Sequence, residues 1–223
     1  MSKNLLQRII TSSFLLFLLL FINFSHQYIF ILSILILGFI VCIEANKIIS
    51  KILSSKYSRK FNFNFLILNF LTFCYVFFVF CIFSYEIYSS ESAVFFFYVI
   101  SICFFTDIGG YAFGKIIGGR KLSKISPNKT VSGTFGSFIS SIIPLIFFLQ
   151  LNYLNLELNI NNIIFCLLIS LISQLGDLFI SFLKRKAKIK DTGNLLPGHG
   201  GVLDRVDGII FAVPFSYFLL KLI

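Results

Sequence analysis

Residues 162–188 read N-I-I-F-C-L-L-I-S-L-I-S-Q-L-G-D-L-F-I-S-F-L-K-R-K-A-K. The run from 162 to 183 is apolar over the roughly 20 residues that a helix needs to cross a bilayer core. Its polar exceptions are not scattered. Ser170, Gln174, Asp177, Ser181, Lys184 and Lys188 recur at intervals of three and four, which places them in one stripe down a helix. An Asp at the centre of a membrane helix costs about 2.5–3.5 kcal/mol on insertion scales. Asp177 is therefore expected to face a bundle interior or a wet cavity, and such a residue marks function. Asp177 and Lys184 lie roughly 10 Å apart along the helix axis, with room for a metal or phosphate ligand between them. The alternative use of the stripe is a buried polar zipper between helices.

Working outward, apolar runs of similar length recur at 11–24, 28–45, 63–83, 93–113, 133–151 and 206–223. With 57% hydrophobic and 13% charged residues and a mean hydropathy of +0.94, the chain cannot cover a soluble core. The expected fold is an all-α polytopic transmembrane helix bundle of about seven spans. The first run is short, with Lys3 and Arg8 before it, but no A-x-A-like cleavage site follows, so it reads as a retained helix. With the N-terminus in the cytoplasm, every Lys and Arg but Lys221 falls on the cytoplasmic side, including Lys56, Arg59, Lys60 and Lys124. That is the asymmetry of the positive-inside rule. Residues 1–92 are expected to form N-terminal membrane helices, and 93–223 a catalytic membrane region with cytoplasmic loops 114–132 and 184–205. Any chemistry faces the cytoplasm, where nucleotides are.

The formal charge of +10 would suit nucleic acid, but the cations sit in short loops between spans, and no nucleic-acid partner is expected. The five cysteines lie inside apolar runs without a C-x-x-C pair, so neither a disulfide framework nor a zinc site is indicated.

Nine acidic residues can be weighed singly. Glu86, Glu91 and Glu157 read as solvated loop residues, and Glu44, ending the second span, reads as interfacial. Asp107 lies within an apolar run. It precedes G-G-Y-A-F-G-K at 109–115, which approaches a phosphate-binding P-loop but has Ile116 where Ser or Thr belongs and follows a membrane span. Its glycines suit close helix packing, or backbone approach to a ligand. Lys115 could still reach phosphates. In the next loop, S-K-I-S-P-N-K-T-V-S-G at 123–133, Pro127 sets a turn or extended entry, and Ser126, Lys129 and Thr130 offer donors for a triphosphate.

The densest chemistry runs from Ser181 to Asp207, S-F-L-K-R-K-A-K-I-K-D-T-G-N-L-L-P-G-H-G-G-V-L-D-R-V-D. Lys184, Arg185, Lys190 and Arg205 stand beside Asp191, Asp204 and Asp207, with Gly198, Gly200 and Gly201 around His199 permitting a sharp turn. Cations for phosphate beside carboxylates for Mg²⁺ point to phosphoryl or nucleotidyl transfer. A basic segment binding anionic lipid would explain the lysines but not His-Gly-Gly or the clustered Asp residues.

This segment resembles the signature of the phosphatidate cytidylyltransferase (CDP-diacylglycerol synthase) family, S-x-x-K-R, four residues, K-D-x-G, then P-x-H-G-G-x-x-D-R-x-D. Thirteen constrained positions match without a gap, from Ser181 through Gly193 and Pro197 to Asp207. D-I-G-G-Y-A-F-G-K at 107–115, S-P-N-K-T at 126–130 and Q-L-G-D at 174–177 resemble the family's other blocks, in order. The likeness covers roughly 100–210, and the first three spans carry none of it. Ser132 stands where the family usually has Glu.

The resemblance implies a membrane enzyme that joins CTP and phosphatidic acid into CDP-diacylglycerol and pyrophosphate in phospholipid biosynthesis, with membrane lipid and a second copy of the chain, as a homodimer, as its partners, in a bacterial inner membrane. Asp177 and Asp204 are expected to hold Mg²⁺, with Asp207 as a third candidate. Lys184, Arg185, Lys190 and Arg205 would neutralise phosphates, with Asp191 beside them in the signature. Lys129 and its loop would hold the nucleotide, with Lys115, Gly200 and Gly201 nearby. His199 would donate a hydrogen bond, move a proton or stabilise its turn, and Asp107 would contact metal or support the fold. The alternatives are a related CTP-dependent enzyme acting on a polyprenol or ether lipid, and a multipass transporter.

Overall fold

A computed structural model describes residues 3–23, 25–54, 63–122, 126, 129–151, 154, 156–198 and 200–222. Long apolar runs without Pro or Gly clusters become helices because a backbone in a bilayer must satisfy its own polar groups. In chain order these are α1 (Lys3–Asn23), α2 (Gln27–Ser54), α3 (Phe63–Cys74), a π-helical stretch (Tyr75–Cys81), α4 (Ile82–Ser90) and α5 (Ala93–Ile116). Then follow α6 (Val131–Ser140), α7 (Ile143–Leu151), α8 (Ile160–Lys186), α9 (Leu203–Val206) and α10 (Ile209–Leu220). Among the described residues there is no strand beyond two isolated bridges, Lys121 with Thr130 and Leu196 with Gly200. The protein is an all-α, polytopic membrane protein.

Five stretches are long and apolar enough to cross a bilayer: Gln27–Leu53, Phe63–Ser90, Ala93–Ile116, Val131–Leu151 and Ile160–Lys186. The other two expected spans are helical, with shorter apolar stretches. The apolar part of α1 that qualifies is Ile10–Ile22. Helix α10 has 12 residues, which at 1.5 Å each make roughly 18 Å against a core of about 30 Å.

The chain divides into two compact units. One comprises Met1–Tyr85 with Leu183–Val206, the other Glu86–Phe182 with Asp207–Ile223. The loop that carries most of the signature thus belongs with the N-terminal helices.

In the first unit α2 packs on α3 and the π-helical stretch. Phe30, Ile34, Gly38, Val41, Glu44 and Ile48 are buried along one side of α2, spaced by three and four as a helix face requires. Gly38 lets the helices meet closely, since a Cβ there would stand 3.0 Å from Cys81 Sγ and 3.1 Å from Val76 Cγ1.

In the second unit α5 lies against α6, α7 and α10. The α5–α6 contact is made by small residues. A Cβ on Gly109 would fall 2.6 Å from the Gly136 carbonyl oxygen, one on Gly136 would fall 2.3 Å from Phe113 Cβ, and Ser137 Oγ donates to the Thr106 carbonyl at 2.8 Å. Helix backbones approach this closely only where side chains are absent or small. Residues 109–115 are therefore helical and serve packing. Around Tyr98 an aromatic core forms with Phe148 and Phe165, and the Tyr98 hydroxyl lies 3.1 Å from Cys166 Sγ.

Candidate functional site

Two lysine–carboxylate clusters carry the polar chemistry, one in each unit. In the second unit, Lys129 forms an ion pair with Asp177 on α8, and Ser181, one turn on, donates to Asp177 Oδ1 at 3.2 Å. Local structure aims Lys129. The loop returns on itself through Leu122 N to the Lys129 carbonyl (2.8 Å) and Val131 N to the Arg120 carbonyl (3.0 Å). Lys129 N also donates to the Ser126 carbonyl at 3.1 Å.

Thr130 closes the loop as the N-cap of α6, accepting from Gly133 N at 3.1 Å, and its hydroxyl lies 3.0 Å from Ser132 Oγ. A Thr at this position satisfies one of the amides a helix start leaves open. Ser132 hydrogen-bonds the Gly118 carbonyl, so the residue that stands in place of a family Glu ties the two ends of the loop together.

Asp207 joins this cluster. A Cβ on Gly176 would fall 2.9 Å from the Asp207 carbonyl oxygen and 2.6 Å from Phe211 Cδ2, and one on Gly208 would fall 2.4 Å from Ser173 Oγ. These two glycines let the chain at 207–208 lie against α8, and the Asp207 carboxyl comes within hydrogen-bonding reach of Asp177. Asp207 Oδ1 also accepts from Gly208 N at 3.0 Å. Two carboxylates so close call for a cation between or beside them, and Lys129 supplies one.

In the first unit, Lys184 Nζ lies 2.7 Å from Asp204 Oδ1, their side chains 12% and 5% exposed. Asp204 Oδ2 accepts from Thr192 N (2.8 Å) and Gly201 N (3.0 Å), and lies 3.1 Å from Thr192 Oγ1. Burial works against the charge on Asp204, but the Lys184 ammonium and the two amides outweigh it and hold the carboxyl below its usual range.

The loop reaches Asp204 through two turns. Helix α8 ends with Lys188 in the left-handed conformation (φ 55°), Lys188 N bonding to the Arg185 carbonyl and Ile189 N to the Lys184 carbonyl, a Schellman ending. A tight hairpin then pairs Leu196 with Gly200, whose φ of +85° suits glycine. Lys190, Asp191, Asn194 and Arg205 line a cleft of about 670 Å³ beside this hairpin. His199 lies outside the described residues, as do Lys56, Arg59, Lys60, Lys124 and Pro127.

Glu44 does not face solvent. It is fully buried on α2 and accepts from Thr192 Oγ1 (2.7 Å), Leu203 N (2.8 Å) and Val202 N (3.1 Å). Gly193 and Gly201 make room for it, since Cβ atoms there would stand 2.6 Å from Glu44 Oε1 and 2.5 Å from Oε2. Periodicity could have found it, because Glu44 is in phase with Phe30, Ile34, Val41 and Ile48.

The remaining expected site residues are placed as follows. Arg185 is exposed on the last turn of α8, and Lys115 is exposed at the end of α5, 5.7 Å above the Tyr111 ring. Asp107 is exposed on α5 rather than turned into the bundle. Ser126 is half-buried.

The donor set can be tested against a divalent cation. Among the described residues, no three His, Cys, Asp or Glu side chains converge as a complete metal cage. Mg²⁺ does not need one, because it uses one or two carboxylates with waters and substrate phosphates. The adjacent Asp177 and Asp207 fit that demand. Asp204 fits as a single ligand, since among the described residues Oδ1 takes one hydrogen bond, from Lys184, and keeps a lone pair.

Residues 49–223 match the cytidylyltransferase family along their whole length. The chain belongs to that family. Among curated relatives, cytidylyltransferases named phosphatidate cytidylyltransferase are similar to it. That of Bacillus subtilis (strain 168) is 45% identical over 132 residues, 56% of this chain and 47% of that protein. Those of Staphylococcus aureus (strain COL) and Staphylococcus epidermidis (strain ATCC 35984) are 42% and 41% identical over 134 residues, 59% of this chain and 50% of each. The chain spans about half the length of the curated relatives it matches.

Proposed function

We propose that the protein transfers a cytidylyl group from CTP to phosphatidic acid, giving CDP-diacylglycerol and pyrophosphate. The observation that carries this is the ungapped signature from Ser181 to Asp207, folded so that Lys184 and Asp204 pair beside a cleft lined by Lys190 and Arg205. Family membership and the printed names of the relatives support it.

A phosphate oxygen of the lipid attacks the α-phosphorus of CTP. A new P–O bond forms there as the bond to the β-phosphate oxygen breaks and pyrophosphate leaves. A phosphate monoester is largely ionised near neutral pH, so no strong base is needed, and positioning with charge neutralisation dominates. Lys190 and Arg205 would take the phosphates in the cleft, with Lys184 and Arg185 at the end of α8. Lys129 sits where a triphosphate would compete with Asp177 for its ammonium. Asp177 with Asp207 in one unit would suit Mg²⁺, and so, separately, would Asp204 in the other; the ion would supply charge neutralisation for the transferring phosphates. The concentration of Lys and Arg in the loops 114–132 and 184–205 supports a reading in which this chemistry faces the cytoplasmic side of a bacterial inner membrane, with the N-terminus on the same side.

The test is pyrophosphate release from CTP by the purified protein in detergent, with the lipid product weighed by mass spectrometry. Release that depends on phosphatidic acid, with a CDP-diacylglycerol product, is expected. Release that responds only to a polyprenyl phosphate or an ether lipid, or to none of the three, overturns the assignment.

A further inference from the structure

The structure assigns Glu44 as a positioning residue that acts through Thr192 on Asp204, from outside the stretches that carry the family resemblance. The inference rests on the 187–206 loop being the cytidylyl-transfer site. Three donors converge on this buried carboxylate: the Thr192 hydroxyl and the amides of Val202 and Leu203. Among the described residues Glu44 forms no ion pair, and the loop donors hold it instead. A buried carboxylate without enough donors is costly, which makes its partners as fixed as it is.

Thr192 is the link. Its hydroxyl lies 2.7 Å from Glu44 Oε2 and 3.1 Å from Asp204 Oδ2, and its amide donates to the same Asp204 oxygen at 2.8 Å. The hydroxyl has one proton for two carboxylates, and the shorter contact is to Glu44. Asp204 Oδ1 then holds Lys184 at 2.7 Å. A line of four side chains, Glu44, Thr192, Asp204 and Lys184, thus runs from the middle of the N-terminal helices to the candidate phosphate-binding lysine. The amides of Gly201, Val202 and Leu203, which lead into the short helix α9, are divided between Asp204 and Glu44. Glu44 fixes the register of this turn, and Asp204 inherits its orientation.

The test uses the full chain in detergent with Glu44→Gln, Thr192→Val, Thr192→Ser and the double variant Glu44→Gln/Thr192→Val. Gln at 44 must set an NH₂ group against at least one of the three donors. Hydrogen exchange over 189–206 is measured alongside phosphatidate-dependent pyrophosphate release. Glu44→Gln and Thr192→Val should each speed exchange over 189–206 while α5–α8 keep theirs. Each should lower kcat about tenfold or more, as loss of a supporting hydrogen bond to a ligand group does. The double variant should lose no more than the worse single one, and Thr192→Ser, which keeps the hydroxyl, should recover most of the rate.

Unchanged exchange over 189–206, or losses that multiply in the double variant, overturn the inference. If the wild-type protein turns over no CTP but exchange responds as stated, the cytidylyl assignment fails and the positioning role stands. Should Glu44→Gln not insert, the Thr192→Val and Thr192→Ser pair decides by the same criteria.

Discussion

Gly109→Ala should disrupt the second unit far more than Gly110→Ala, although the two glycines are neighbours in the same motif. A Cβ on Gly109 would meet Ser140 Oγ at 2.2 Å, Ser140 Cβ at 2.5 Å and the Gly136 carbonyl oxygen at 2.6 Å. The last is backbone and cannot rotate away; it lies 0.8 Å inside the 3.4 Å at which ordinary contact begins. Helices α5 and α6 would have to part by about that much, and overpacking of this kind costs about 1–3 kcal/mol. The rigid obstacle places Gly109→Ala near the upper end.

On Gly110 the near atom is Ser137 Oγ at 2.6 Å, the end of a side chain that can turn, and the nearest backbone oxygen is 3.8 Å away. The cost there should be under about 1 kcal/mol, the loss of one hydrogen bond. Thermal unfolding in detergent should therefore fall by about 5–10 °C for Gly109→Ala and by no more than a few degrees for Gly110→Ala. If both variants keep the wild-type melting temperature and instead raise the KM for CTP equally, residues 109–115 hold phosphate and the packing argument is wrong.

Asp177→Asn and Asp207→Asn should each abolish cation-dependent CTP turnover while the protein still inserts; near-wild-type rates in both would sink the carboxylate assignment. Because the Asp204 carboxyl is held below its ordinary range, its contribution to stability is complete above the unfolded value near 3.9 and is lost as pH falls through the lower folded value. Hydrogen exchange over 189–206, corrected for its intrinsic pH dependence, should thus show constant protection from about pH 5 to 8 and fall only in stronger acid. Lys188→Gly should raise the melting temperature slightly, since the left-handed conformation at 188 costs a non-glycine residue about 1 kcal/mol; a lower melting temperature would mean the lysine side chain outweighs that strain.

Much of the architecture is legible from hydropathy alone, since apolar runs long enough for a bilayer leave the backbone little choice but helix. The stripe through Asp177 is legible for the same reason, because a charge in such a run has to be in phase with other polar groups. Hydroxyls are harder to read. Thr130 and Ser126 look like triphosphate donors in a basic loop, yet Thr130 caps α6, and a cap and a ligand donor have the same composition. Glu44 was obscured by its position. At the end of an apolar run it resembles a residue leaving the membrane, and only its phase with Ile34, Val41 and Ile48 shows that it faces inward. Its donors come from a loop about 150 residues further along, a separation that local pattern cannot bridge.

The burial of Glu44 also bears on how this protein can be rebuilt. The region matched to the family begins at residue 49, just after Glu44, and the N-terminal spans look like replaceable ballast. They are not interchangeable: a chimera that keeps 49–223 but borrows its first helices from an unrelated membrane protein would have to carry an acidic side chain at the same helical phase, or leave the amides at 202 and 203 without their acceptor.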